Sequence, residues 1–93
     1  MDTNKLVQIV KLIIIGQRTI IGPLAIDLAN RVGGLKVSAD LSDVRVSGGS
    51  AQILGDLVMQ YEKLFGQASV EACKESVREV GSVTSKDLPS ILQ

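Results

Sequence analysis

The sequence predicts a mainly helical α+β domain, in which two helix–glycine–helix pairs flank a central β-hairpin. Apolar residues recur at helical spacing in long stretches, two glycine pairs enclose a short alternating segment, and the apolar pattern repeats after 44 residues. The 93 residues suffice for one domain. We divide it into a first helical pair (4–32), a hairpin (35–47), a second helical pair (50–80) and a tail (81–93).

The first helix is predicted over residues 4–20, and its apolar arc is unusually wide. The arc covers nearly half of the circumference, whereas an edge helix buries a stripe of about 100° or somewhat more. Its two flanks are Leu6, Ile9, Ile13 and Ile20 on one side, and Val7, Val10, Ile14 and Ile21 on the other. Gly16-Gln17 marks either the end of the helix or a buried amide with a specific partner. The β-branched run at 12–15 makes a strand the competing interpretation.

The second helix is expected to begin at Pro23, because proline suits the first helical position. We expect it to end at Gly33-Gly34, because glycine accepts the left-handed conformation that terminates helices. Residues 35–47 then alternate apolar and polar side chains around a turn, Asp40 to Asp43, and therefore predict a hairpin.

The third helix, 51–65, has the clearest helical spacing in the chain, and Ser50 before it is a suitable N-cap. The fourth helix is predicted over residues 67–80. Its apolar face carries Cys73, which we therefore expect to be buried and unreactive, whereas its wet side carries i,i+3 ion pairs.

An internal repeat with an offset of 44 residues is predicted from the apolar pattern of the two helical pairs. Three pairs are identical, Gln8/Gln52, Ile9/Ile53 and Gly22/Gly66, and the pattern extends over about 23 positions. Two repeats would form a closed bundle or a pseudo-twofold unit rather than a solenoid. Chance agreement of two amphipathic helical hairpins is the alternative.

The composition excludes several classes of function. Ten basic residues balance ten acidic ones, there is no histidine, and Cys73 is the one cysteine. Histidine catalysis, a zinc finger and an intramolecular disulfide are therefore impossible, and a general nucleic-acid binder would need more cations. We predict that the protein is not an enzyme and has no catalytic, cofactor-binding or metal-binding residues. We expect a cytoplasmic location, because polar residues interrupt every candidate signal or membrane-spanning segment.

We predict a small protein-interaction module that self-associates as a homo-oligomer, with another protein as a further possible partner. One flank of helix 4–20 would pack in its own core, and the other flank, Val7, Val10, Ile14 and Ile21, would contact the second chain. One alternative is membrane-surface association through helix 4–20. Another is nucleic-acid binding through the hairpin, with Lys36 and Arg45 on phosphates; both alternatives rank below self-association.

Overall fold

A computed structural model of the protein describes residues 3–78 and confirms the mainly helical α+β class, with four helices and one antiparallel hairpin. The elements in chain order are α1 (Thr3–Ile21), α2 (Leu24–Ala29), β1 (Leu35–Val37), β2 (Val44–Val46), α3 (Ser50–Phe65) and α4 (Gln67–Arg78). The predicted tail, 81–93, and the last two residues of the predicted fourth helix lie outside the described residues.

The first predicted element is one continuous helix, α1, and not a strand. Its buried side chains recur three or four residues apart, a spacing that only a helix gathers onto one face. They are Leu6, Ile9, Val10, Ile13, Ile14 and Gln17. The helix therefore continues past Gly16, and Gln17 is a buried amide. It ends where Gly22 adopts a φ of +69° and donates its N–H to the Arg18 carbonyl at 2.9 Å.

The second helix is shorter than predicted, because α2 ends at Ala29 rather than at the glycine pair 33–34. Beyond Ala29 the backbone tightens into i→i+3 turns, in which the Val32 N–H donates to the Ala29 carbonyl at 3.1 Å, and the Asn30 side chain pairs with the first strand. Its side-chain amide donates to the Val37 carbonyl at 3.0 Å, and its side-chain oxygen accepts the Val37 N–H at 2.8 Å. This side chain thus binds both polar groups of one backbone residue and holds β1 against the end of α2.

The hairpin pairs Leu35 with Val46, Lys36 with Arg45, and Val37 with Val44. Its turn is organised by Asp40, whose carboxylate accepts the Ser42 hydroxyl at 2.7 Å and the Ser42 N–H at 3.0 Å. The Ser42 hydroxyl is the main cause that lowers the pKa of the exposed Asp40 carboxyl from 3.8 to about 2. The turn chemistry of this segment, predicted from the sequence, is therefore confirmed.

The backbone conformation defines the two ends of α3. Ser50 is the first residue of α3 and not its N-cap; Gly49 occupies the cap position, and no side chain caps the helix there. At the other end, Gly66 adopts a φ of +77° and separates α3 from α4. The predicted i,i+3 pairs on the exposed side of α4 are present, with Glu71 and Lys74 separated by 3.7 Å.

One apolar core joins all six elements. α1 packs against α4 and α2, α3 packs against the same two helices, and the hairpin lies against α1 and α2. Both flanks of α1 enter this core. No surface is exposed at Ile9 and Ile13 on one flank, or at Val10 and Ile14 on the other. α1 is consequently the central helix of the domain and not an edge helix.

Candidate interaction surface

The four residues that were predicted to contact a second chain have different positions in the structure. Val10 and Ile14 are wholly buried among side chains of their own chain. Val7 and Ile21 are half-buried, and Ile21 packs against the core. Conversely Ile20, which was assigned to the core flank, is 63% exposed. The division into an inner and an outer flank is therefore corrected, because α4, α2 and the hairpin together cover the wide arc of α1.

The apolar side chains that remain accessible lie mainly where the helical pairs turn. Among residues 3–78, six large apolar side chains are exposed: Ile15, Ile20, Leu24, Met59, Leu64 and Phe65. Four of the six border the two glycine turns, which we name corner 1 (20–24) and corner 2 (64–68). The four are Ile20, Leu24, Leu64 and Phe65, and we call them the corner patch. A helix end has fewer neighbours to cover it than a helix middle has.

Two buried hydrogen bonds bring the corners to the same end of the molecule. The Gln17 side-chain amide, just before corner 1, donates to the carbonyl of Ser69, just after corner 2, at 3.1 Å. The Tyr61 hydroxyl, just before corner 2, donates to the carbonyl of Ala25, just after corner 1, at 2.8 Å. Each helical pair thus reaches across to the first turn of the other pair's second helix, and the corners are neighbours.

The two bonds correspond to each other at an offset of 44 residues, since Gln17 corresponds to Tyr61 and Ala25 to Ser69. Five of the six buried positions of α1 correspond in the same way to the five buried positions of α3. They are residues 9, 10, 13, 14 and 17 in α1, and residues 53, 54, 57, 58 and 61 in α3; the exception is buried Leu6, which corresponds to Ser50. Two pairs of exposed apolar residues correspond too, Ile15 with Met59 and Ile20 with Leu64, whereas Leu24 and Phe65 have no exposed apolar counterpart. The buried faces of the two long helices therefore follow one pattern, and their exposed faces follow it in part.

The interior holds one reactive side chain, Cys73, and its surroundings suppress its reactivity. The thiol is wholly buried, and burial raises its pKa from 9.0 to about 12. The Gln17 amide lies 3.6 Å from its sulfur and stabilises the thiolate only weakly against that burial. Burial of Cys73 was predicted from its helical face and is confirmed. Burial therefore disfavours the thiolate, which is the nucleophilic form of a cysteine.

The hairpin borders an open groove of about 330 Å³. Its lining residues are Asn30, Lys36, Val37, Ser38, Asp43 and Arg45. Lys36 and Arg45 are direct cross-strand partners, and Arg45 is paired with Asp43 at 3.2 Å. The nucleic-acid hypothesis named these two cations, and in the structure a carboxylate already neutralises one of them.

Within residues 3–78, no helix is both long and apolar enough to cross a membrane. No group of three or more potential metal-ligating side chains is found in that part of the chain. The apolar face of α1, which the membrane-surface hypothesis would use, is buried. Comparison with protein-family models, curated proteins and solved structures finds no match to the chain. The fold and its surface thus define a small helical α+β domain, whose most distinctive accessible feature is the corner patch.

Proposed function

We propose that the chain is a non-catalytic interaction module that associates with a second copy of itself. One observation carries this proposal. Among residues 3–78, four of the six exposed large apolar side chains, between 38% and 63% exposed, border the two neighbouring glycine turns. Burial of apolar surface contributes roughly 25 cal/mol per Å², and clustered exposed apolar side chains are typical of interaction sites.

We also propose that the two helical pairs are internal repeats of one helix–glycine–helix unit. Chance agreement between two amphipathic hairpins would account for similar apolar spacing, but it would not require an exchanged pair of buried hydrogen bonds. The bonds from Gln17 to Ser69 and from Tyr61 to Ala25 are exchanged in this way. The glycines that end α1 and α3 also share a left-handed conformation, with φ values of +69° and +77°.

A second copy suits this surface as a partner because the chain carries no net charge. Two copies of a neutral domain do not repel each other at long range, whereas copies of a highly charged domain do. We place this association in the cytoplasm, where a lone cysteine remains reduced.

Size-exclusion chromatography with light scattering tests the proposed function. The chain has a mass of 9.9 kDa, and we expect a particle of twice that mass whose share rises with protein concentration. A monodisperse particle of 9.9 kDa up to high micromolar concentration would overturn self-association. Sedimentation equilibrium over the same concentrations is the independent check, because it gives the particle mass without a column and independently of the particle's shape.

A further inference from the structure

We infer that α4 opens as a separate unit. In the open form α4 is detached from α1 and α3, the other helices and the hairpin stay folded, and Cys73 is exposed. In the closed form α4 packs against both α1 and α3. A segment opens by itself when its contacts with the rest of a domain are weaker than those that hold the rest together. The inference concerns the single chain and does not depend on the proposed self-association.

The first argument is the polarity of the interface between α1 and α4. Apart from the tyrosine hydroxyl, the buried polar side chains within residues 3–78 belong to these two helices: Gln17 of α1, and Ser69 and Ser76 of α4. Ser69 lies beside α1, because its carbonyl accepts the Gln17 amide. Ser76 does so too, because a β-carbon added to Gly16 would lie 3.0 Å from its hydroxyl oxygen. This hydroxyl donates its proton to the Ala72 carbonyl of its own helix, at 3.2 Å, and not to α1.

The second argument is that the amide which crosses this interface is only partly satisfied. Gln17 donates to the Ser69 carbonyl at 3.1 Å, and its nitrogen lies 3.6 Å from the Cys73 sulfur. Among residues 3–78, however, its side-chain oxygen has no hydrogen-bond partner. Water would bind this oxygen as soon as α4 detached. The hydration gained therefore offsets part of the loss of the contacts that opening breaks.

The third argument is the contrast with α2, which is equivalent to α4 at the offset of 44 residues. Three buried apolar residues of the first helical pair correspond to buried positions of α4: Ala25 to Ser69, Ala29 to Cys73 and Val32 to Ser76. Tyr61 stands in the place of Gln17, and its hydroxyl is satisfied by the Ala25 carbonyl. α2 buries apolar side chains only, and Asn30 behind it is bound to β1. Detaching α2 would therefore cost more than detaching α4.

The thiol of Cys73 reports the opening, because a buried thiol is alkylated only when it becomes exposed. The full chain is treated with iodoacetamide at several urea concentrations below the unfolding transition, and alkylation is followed by mass spectrometry. While the rate stays proportional to reagent, it measures the open population. Without urea we expect a rate at least about tenfold above the rate that global unfolding allows. We also expect it to change little at low urea, because local opening exposes little surface.

A rate that equals the global-unfolding rate, and rises as steeply with urea, would overturn the separate opening of α4. The matched control moves the thiol to the equivalent position of α2, in the double variant Ala29→Cys, Cys73→Ala. Its thiol is expected to react only at the rate that global unfolding of this variant allows. Each variant is compared with its own free energy of unfolding, so a change in overall stability does not decide the result. A thiol at position 29 that exceeds its reference as far as Cys73 does would overturn the assignment to α4.

Two further variants test the cause of the opening. Gln17→Met removes the unpartnered oxygen, and we expect it to slow alkylation of Cys73 about fivefold. Tyr61→Phe removes the bond to Ala25, which stays intact when α4 alone opens, so the rate should be unchanged although the chain is less stable. If Tyr61→Phe accelerates alkylation as much as it lowers global stability, the opening is global and the inference is wrong. If Gln17→Met does not slow alkylation, the polar interface is overturned as its cause.

Discussion

At the scale of single residues, Gln17 and Tyr61 contribute differently to the stability of the fold. They lie 44 residues apart and donate the two hydrogen bonds that link the helical pairs. Tyr61 is wholly buried, fills its site with a ring, and donates its one hydroxyl proton to Ala25. Gln17 is equally buried, but within residues 3–78 its side-chain oxygen has no hydrogen-bond partner. A buried acceptor without a partner costs about 1–3 kcal/mol, whereas a hydrogen bond such as the one from its amide to Ser69 contributes roughly 0.5–1.5 kcal/mol, and the longer contact of the amide with the Cys73 sulfur adds less. The unpartnered oxygen therefore offsets much of what the amide contributes.

Two substitutions of similar shape should separate these positions. Gln17→Met removes the unpartnered oxygen, and we expect the free energy of unfolding to rise by about 1 kcal/mol. Tyr61→Phe removes a satisfied hydroxyl, and we expect a loss of about 1 kcal/mol. Urea unfolding at one fixed protein concentration measures both. A loss of stability in Gln17→Met would show that the amide contributes more than its unpartnered oxygen costs.

At the scale of elements, the base of the hairpin depends on a close backbone approach at Gly34. This residue has a φ of +87°, and its carbonyl accepts the Ser47 N–H at 2.7 Å. A β-carbon at position 34 would lie 2.1 Å from the Ser47 carbonyl oxygen, well inside the contact distance. The segments that enter and leave the hairpin can meet here only if residue 34 is glycine.

Gly34→Ala is therefore expected to lower the free energy of unfolding by about 3 kcal/mol or more, because strand pairing and backbone conformation are both disturbed. Gly22→Ala is the matched control. It has a φ of +69°, but no atom lies within 4 Å of the added carbon, so the expected loss is about 1 kcal/mol. Thermal unfolding measures both variants. Equal losses would show that the approach to Ser47 relaxes at little cost.

At the scale of the whole molecule, α1 is the helix that the other elements surround. It packs against α4 and α2 and against the hairpin, and this explains why its apolar arc is wider than that of an edge helix. A wide arc has two physical explanations, a central position in one chain or a second chain on the outer flank. The burial of both flanks selects the central position for Val10 and Ile14.

Ile14→Lys therefore distinguishes the two explanations. Because Ile14 is wholly buried, we expect this variant to unfold the chain, with a loss of at least about 3–5 kcal/mol, as expected also for Ile13→Lys. The neighbouring Ile15 is 43% exposed, so Ile15→Lys should remain folded. Circular dichroism measures all three variants. A folded, monomeric Ile14→Lys would instead indicate that this flank contacts a second chain.

The sequence alone determined the elements of this protein, because they depend on local periodicity and turn chemistry. The spacing of apolar residues predicted the four helices and the burial of Cys73, and the glycines predicted the corners. The end of α2 was missed, because the apolar spacing continues through Val32, whereas the backbone beyond Ala29 already forms i→i+3 turns that no periodic pattern reveals.

Only the tertiary structure decided which apolar residues stay accessible. Periodicity shows which residues share a face of a helix, but it does not show which neighbour covers that face. Ile14 and Ile20 both lie on the apolar arc of α1, yet one has no exposed surface and the other is 63% exposed. The difference arises because packed elements cover the middle of α1, whereas the chain turns away at corner 1, where, among residues 3–78, Ile20 stays largely uncovered.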